Sequence, residues 1–440
     1  MDSIEQIFSM MPDRIPFRER KSPDEKILTP PKIAKEMVDA LPDEVWNNHT
    51  TFLDPTCKSG IFLHEIYKKL MESDAVKTVY PDRKERHFHI INNQLYGIAM
   101  DKQCQLISMR TAYGQLKEDG HIISLSDYMA MVKNPDRTFL YEALKKEFNT
   151  VKFDVVIGNP PYNNDIYLDF VQVGHKLSNK YSCWITPAKW QAKGGAKNEQ
   201  FRKDIVPYME KIVYYNKPTD VFPNTTMCGD AISYYIIDKD KPDNTTINGK
   251  TYTDWETRYG LDSNCIDIVK KIHGKRIVES GIKEITPCKS YFTAKNFGDV
   301  GEDTSSRYYM RSSARCIKVP EWAFKNTNDM DKYKVYIGHF ITNNPVIHIV
   351  NPYVADVRED CLLGFGTKEF CESIKSYYQC KLIWYLVYMT NCGNASAEAF
   401  VNVPAPEAFD HIFTDAELYK KYNLTSEEIS IIESVIKERK

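Results

Sequence analysis

Between residues 50 and 240 the chain repeats one rhythm, a short apolar run, a turn, then apolar positions at helical spacing. The runs Thr51–Leu53, Gln94–Ile98, Ile122–Leu125, Phe153–Gly158 and Tyr181–Ile185 predict five strands, with Val213–Tyr215 and Ala231–Ile237 as two later ones. Helical patterns stand between them, over Phe62–Leu70 and from beyond Ile98 through Leu106. Ahead of the first strand, Ile33, Met37, Val38 and Leu41 fall on one helical face, with Thr29 as its expected N-cap and proline in its first turn. Strands alternating with helices predict an α/β fold with a doubly wound, mainly parallel sheet, a Rossmann-like arrangement. Such sheets bind ligands at the carboxyl ends of their strands.

After residue 240 the alternation fades. Asp238–Asn244 is polar and proline-broken, residues 245–400 are rich in Tyr, Lys, Asn and Ser, and 414–440 turn helical. Thr414 with Glu417 and Thr425 with Glu428 fit capping boxes. The chain therefore divides into an arm over 1–26, an α/β domain over 27–243, and an α+β domain over 244–440 that ends in helices. Its 440 residues suit two or three domains and large cores. The net charge of −2 selects no partner, because nucleic-acid binding needs local rather than global positive charge. Eleven cysteines without a CxxC pair argue against a zinc ribbon or a secreted disulfide framework, and fit reduced thiols in the cytoplasm. The N-terminal residues lack a signal-peptide pattern, and the longest apolar run, Leu382–Met389, is too short to span a membrane. The ten histidines show no metal-ligand spacing, so no metal is expected.

Asn159-Pro160-Pro161-Tyr162 follows an apolar strand directly. A primary aromatic amine, such as adenine N6, is a poor nucleophile because its lone pair is delocalised into the ring. Accepting hydrogen bonds from both amino protons draws the nitrogen toward tetrahedral geometry. An asparagine oxygen and a neighbouring main-chain carbonyl supply two such acceptors, proline stiffens the turn, and an aromatic residue beyond it can stack on the base. Phe52–Phe62, with Asp54, Pro55, Cys57, Lys58 and Gly60, reads as strand, tight turn and helix. There a glycine permits close backbone approach to a ligand, and a helix N-terminus favours a carboxylate.

With these motifs in this order, the chain resembles the gamma-class N6-adenine DNA methyltransferases of bacterial restriction-modification systems. The resemblance covers roughly residues 27–240, and more loosely the tail from Asp415 to Glu428. It implies S-adenosylmethionine as cofactor. Thr29 and Pro30 match the upstream cofactor motif, Asp54, Pro55, Cys57, Gly60 and Phe62 the main cofactor loop, and Asp127 and Tyr128 the segment beside the cofactor's adenine. Asn159, Pro160 and Tyr162 match the catalytic motif, with Asn159 also beside the cofactor. Phe222, in Asp220–Asn224, matches the second wall around a flipped base. Two departures stand out: Lys58 replaces a glycine, and Ala99 occupies the place of the acid that binds the cofactor ribose, followed by Met100 and Asp101. The implied mechanism rotates an adenine out of double-stranded DNA, at a cost of a few kcal/mol, into the gap between Tyr162 and Phe222. The 244–440 domain would read the DNA sequence, and the resemblance allows a cognate restriction endonuclease on another chain. Alternatives are an RNA adenine methyltransferase, a protein glutamine methyltransferase, and a non-catalytic DNA-specificity protein. The long second domain and the intact catalytic motif weigh against the last two.

Other features carry two readings each. Lys270, Lys271, His273, Lys275 and Arg276 suit phosphate contacts or a solvated helix face. Trp184 and Trp190 suit a pocket or a core. Tyr308, Tyr309, Tyr333 and Tyr336 suit base contacts or packing.

Overall fold

The computed structural model describes residues 28–114, 120–191, 194–223, 231–253, 255, 262–289, 300–311, 315–325, 327–338, 341–356, 361–390 and 397–437. The expected arm over 1–26, and Asn224 in the Asp220–Asn224 segment, lie outside them. The chain forms two compact units, one of residues 1–190 and 195–254, the other of 191–194 and 255–440.

The first unit is built on a nine-stranded sheet, in the order β3-β2-β1-β4-β5-β7-β6-β8-β9. Its strands are β1 (Phe52–Cys57), β2 (Leu95–Ala99), β3 (Ile122–Ser124), β4 (Phe153–Gly158), β5 (Ser178–Pro187), β6 (Met209–Tyr215), β7 (Ile232–Asp238), β8 (Thr245–Ile247) and β9 (Lys250–Tyr252). The first five pair in parallel, and β7 runs antiparallel between β5 and β6. The seven strands expected between 50 and 240 are all present. β1 is buried along its whole length and β4 over all but Asp154, as parallel strands covered on both faces must be. Asp154 is nonetheless bonded: Oδ2 accepts from the Thr51 N–H and hydroxyl, each at 2.9 Å. The expected break at 243/244 falls inside this unit, between β7 and the β8–β9 hairpin that continues the sheet.

Helices α1 (Pro31–Asp39), α2 (Ile61–Glu72), α3 (Asp74–Val79), α4 (Arg83–Asn93) and α5 (Lys102–Tyr113) gather on one face. There Ile33, Met37, Leu63, Ile66 and Ala112 pack against Phe52, Leu95 and Val155 of the sheet. On the other face lie α6 (Tyr128–Lys133), α7 (Thr138–Phe148), α8 (Ile166–Leu177) and α9 (Ala196–Ile205), while the short α10 (Pro218–Val221) adds Val221 to the core of the first face. Trp184 and Trp190 are fully buried, so they serve the core. A Cβ on Gly174 would lie 2.0 Å from the Trp184 ring. Thr29 does not cap α1. Pro30 is the N-cap and no side chain supplies the bond, because the Thr29 hydroxyl is engaged elsewhere, as shown below.

The second unit holds a four-stranded antiparallel sheet, β10 (Ile285–Lys289), β16 (Cys361–Gly366), β13 (Tyr333–Ile337) and β14 (Ile347–Val350) in spatial order. A three-stranded sheet, β12 (Cys316–Lys318), β11 (Tyr309–Arg311) and β15 (Val354–Asp356), accompanies it. Helices α11 (Ser263–Lys271), α12 (Lys368–Gln379), α13 (Lys381–Thr390), α14 (Asp415–Lys421) and α15 (Ser426–Val435) contribute to the larger core. The apolar run Leu382–Met389 becomes α13, buried around almost its whole circumference. No helix among the described residues is long and apolar enough to cross a membrane. Thr425 with Glu428 forms a complete capping box, while Thr414 supplies only the forward bond. Lys271 pairs with Glu428, Lys275 bonds the Ser280 carbonyl and Arg276 the Asn402 carbonyl. Part of the basic stretch is thus spent within its own unit. Tyr308 and Tyr336 are core residues, whereas Tyr309 and Tyr333 are half-buried. Seven described cysteines are free, and Cys361 on β16 is disulfide-bonded.

Candidate active site

The carboxyl ends of β1 and β4 meet around a chain of buried polar groups. Asp54 Oδ1 accepts from the Thr56 N–H at 2.9 Å and from the Thr56 hydroxyl at 3.1 Å. Thr56 Oγ1 accepts the Asn159 main-chain N–H at 3.0 Å. Asn159 Nδ2 then donates to Thr29 Oγ1 at 3.0 Å. Every member is buried: Thr29, Asp54, Thr56 and Asn159 are 4%, 2%, 3% and 4% exposed. Asn159 Oδ1, also buried, has no hydrogen-bond partner among the described residues. A buried acceptor without a donor costs about 1–3 kcal/mol. The site therefore holds a rigidly placed oxygen that a ligand N–H would satisfy.

Local sequence explains why Asn159 sits there. Gly158 ends β4, and a Cβ on it would stand 2.5 Å from Thr56 Oγ1 and 3.2 Å from Trp184. Only glycine lets the two strand ends approach closely enough for the Thr56–Asn159 bond. Burial pushes the Asp54 carboxyl up to about 6, against the opposing effect of its Thr56 bonds.

Lys58 stands where the resemblance leads one to expect glycine. It is buried, and its Nζ donates to the Asn159 main-chain carbonyl at 3.0 Å. The departure thus becomes a tie between the loop after β1 and the turn after β4. Gly60 adopts a left-handed φ of +77°, and a Cβ there would meet the Ser108 backbone on α5 at 2.8 Å. The glycine is required by protein packing, not only by ligand approach. It leaves α2 without a side-chain cap and without an acidic residue in its first turn, which suits an incoming anion.

The other expected cofactor residues are spread more widely. Pro30 is the N-cap of α1, and the Pro55 carbonyl accepts the buried Tyr128 hydroxyl at 2.7 Å. Cys57, Phe62 and Ala99 are buried in packing. The Met100 N–H donates to the Cys57 carbonyl at 3.3 Å. Asp101 Oδ1 caps α5 at the Cys104 N–H, at 2.7 Å. Asp127 is exposed, with a left-handed φ of +56°. The structure thus draws Thr29, Asp54, Lys58 and Asn159 into one network, and adds Thr56, to which no site role had been expected. Its signal in the sequence is a second hydrogen-bonding side chain two residues after Asp54, on the same face of the strand.

Tyr162 and Phe222 do face each other, with ring centroids 6.4 Å apart and planes inclined at 64°. The Tyr162 hydroxyl reaches the Ile185 carbonyl at 3.4 Å. A base stacked between two rings needs them parallel and about 7 Å apart, twice the 3.4 Å stacking distance of nucleic acids. In this structure the pair is in edge contact, so the rings must part and turn before a base can enter.

The model of the Eco57I restriction-modification methylases matches residues 93–165 and 162–222, so this region is similar in sequence to that family. An uncharacterized adenine-specific methylase of Mycoplasma pneumoniae is 25% identical over 303 residues, covering 52% of this chain and 70% of that protein. Among solved structures, a modification subunit of a type I restriction enzyme from Vibrio vulnificus aligns at TM-score 0.36 and 16% identity, covering 50% of this chain and 45% of its own. The EcoKI M protein aligns at 0.35 and 15%, with 48% and 44% covered. The MmeI restriction-modification enzyme, solved in complex with DNA, aligns at 0.43 and 10%, with 84% and 64% covered. The chain spans less than half the length of the first two.

Proposed function

We propose that this protein methylates the N6 amino group of an adenine rotated out of double-stranded DNA, with S-adenosylmethionine as donor. The observation that carries this reading is the orphaned Asn159 Oδ1, locked in place at the end of β4. The uncapped start of α2 suits the donor's carboxylate, and the exposed Asp127 lies on the segment expected beside the donor's adenine. Residues 27–243 form the catalytic part in this reading, with Thr29, Pro30, Asp54, Pro55, Cys57, Gly60, Phe62, Ala99, Met100, Asp101, Asp127 and Tyr128 around the cofactor. The 244–440 part recognises DNA. S-adenosylmethionine supplies an electrophilic methyl group on a sulfonium.

The protein's own contribution is positioning and electrostatics. Asn159 Oδ1 and the Pro160 carbonyl accept the two N6 protons and draw the nitrogen lone pair out of the ring. Thr29 keeps the side-chain amide from turning away, Thr56 holds the Asn159 main chain, and Lys58 holds the turn against the cofactor loop. Tyr162 and Phe222 part and stack on the base. The alkylated nitrogen sheds one proton to water, so no general base is required. A restriction endonuclease on another chain and a cytoplasmic location complete the proposal.

Single-molecule sequencing of DNA from cells expressing the chain tests it. N6-methyladenine in one short motif is expected, and it should vanish with Asn159→Ala. Methylation undiminished in that variant would refute the role given to Asn159.

A further inference from the structure

The three-stranded sheet of the second unit concentrates positive charge. Residues 307–318 contain Arg307, Arg311, Arg315 and Lys318 and no acidic residue. Along β11 the pleat turns Met310 into the core and sends Tyr309 and Arg311 to the opposite face. Register places Lys318 beside Tyr309 on that face, with the Lys318 ammonium 5.7 Å from the Tyr309 ring. It also sets Arg311 beside Asp356 of β15.

Asp356 is wholly buried and holds two partners. Both its oxygens accept from Arg311 Nη1, at 2.9 and 3.1 Å, and Oδ2 also meets His348 Nε2. The Arg311 side chain is 35% exposed. Because one terminal nitrogen takes both carboxylate oxygens, the edge formed by Nε and Nη2 keeps two parallel donors. They have no acceptor among the described residues. A guanidinium fixed by a buried carboxylate has surrendered its rotamer freedom already, so little further ordering remains to be lost on binding.

We propose that Arg311 reads a guanine in the DNA recognition sequence, its Nε–Nη2 edge donating to guanine O6 and N7 in the major groove. Asp356 is its positioning residue, and Lys318 contacts a backbone phosphate. The chemistry is complementary: guanine alone offers two adjacent acceptors in that groove, and a two-stranded ribbon such as β11–β12 fits its width. A pair of this kind discriminates by roughly 10- to 100-fold. The assignment rests on the reading of the substrate as DNA.

The experiment maps N6-methyladenine by single-molecule sequencing on DNA from cells expressing the full chain, unaltered or as Arg311→Ala, Arg311→Lys, Asp356→Asn or Lys318→Ala. The unaltered chain should give a motif containing guanine. Arg311→Ala should relax that one position to several bases, with discrimination reduced roughly 10- to 100-fold. Arg311→Lys, which keeps charge without the fork, should relax it too while remaining folded and active. Asp356→Asn should relax the same position less, and Lys318→Ala should lower methylation evenly without changing the motif. A motif lacking guanine, or an Arg311→Lys variant with an unchanged motif, overturns the assignment. If the unaltered chain methylates no DNA at all, the DNA reading itself falls, and the assignment with it.

Discussion

Each unit centres on a buried aspartate, and the two are satisfied in opposite ways. Asp54 accepts from the N–H and hydroxyl of Thr56, two residues along its own strand, and the chain of bonds that follows ends in an acceptor, Asn159 Oδ1, with nothing to accept. Asp356 draws on other elements, Arg311 of β11 and His348 of β14, and leaves a pair of donors on Arg311. The chemistry each arrangement can do follows from that. An open, buried acceptor suits an amino group whose protons must be held. An open donor edge at the surface suits the acceptor-rich edge of a base. The same residue type thus orders two sites of opposite polarity, and its partners decide which.

The largest effect is expected from Asn159→Ala, which removes the open acceptor. Methyl transfer should fall by about 100-fold or more, as when a preorganised hydrogen-bonding group is deleted from a catalytic site. S-adenosylmethionine affinity, read by calorimetry, should change far less. A variant within threefold of the parent rate would end the argument for an acceptor-led site.

The next effect comes from Asp54, whose carboxyl burial raises to about 6. The folded protein disfavours the carboxylate, so this group's contribution to stability is complete below its unfolded value, about 3.9, and is lost as pH rises through about 6. Asp54→Asn keeps an acceptor for Thr56 but cannot ionise. Between pH 4 and pH 7.5 the parent should lose stability relative to the variant, by an amount on the order of 3 kcal/mol. Urea titrations at the two pH values measure it. Parallel behaviour of the two proteins would show that burial of Asp54 is compensated.

Lys58→Met deletes the ammonium that holds the Asn159 carbonyl while preserving the stem. One hydrogen bond to a charged group is worth about 1.5–3 kcal/mol, so the methylation rate constant should fall about tenfold or more. The measurement is single-turnover kinetics, and an unchanged rate would reduce Lys58 to packing. The smallest effect is expected from Thr425→Ala, which removes a complete capping box far in sequence from either aspartate. Stability should drop by about 1 kcal/mol in denaturant titration, with methylation and motif unaltered.

The strands of the first unit were legible because each is a run of apolar residues closed by a turn. The candidate turn after β4 was legible because Asn159, Pro160, Pro161 and Tyr162 are contiguous. The second unit was much less so. Its three-residue strands, β11, β12 and β15, are too short for a period to emerge, and the pairing of β11 with β15 joins residues more than forty positions apart. The break expected at 243/244 followed composition, whereas β8 and β9 pair onto the sheet edge by main-chain bonds that composition does not reveal.

Taken alone, the sequence determined the α/β alternation, the order of the motifs and the presence of an asparagine at a strand end, because each is written in neighbouring residues. Tertiary structure alone decided what those residues touch. Thr29 became Asn159's partner across 130 positions instead of a helix cap. Lys58 reached the same turn across 101 positions, and Gly60 made room for Ser108. Arg311 acquired its aspartate from β15. The physical reason is that burial patterns are local and periodic, while hydrogen-bond partners are assigned by sheet order, which brings distant strand ends within 3 Å of one another.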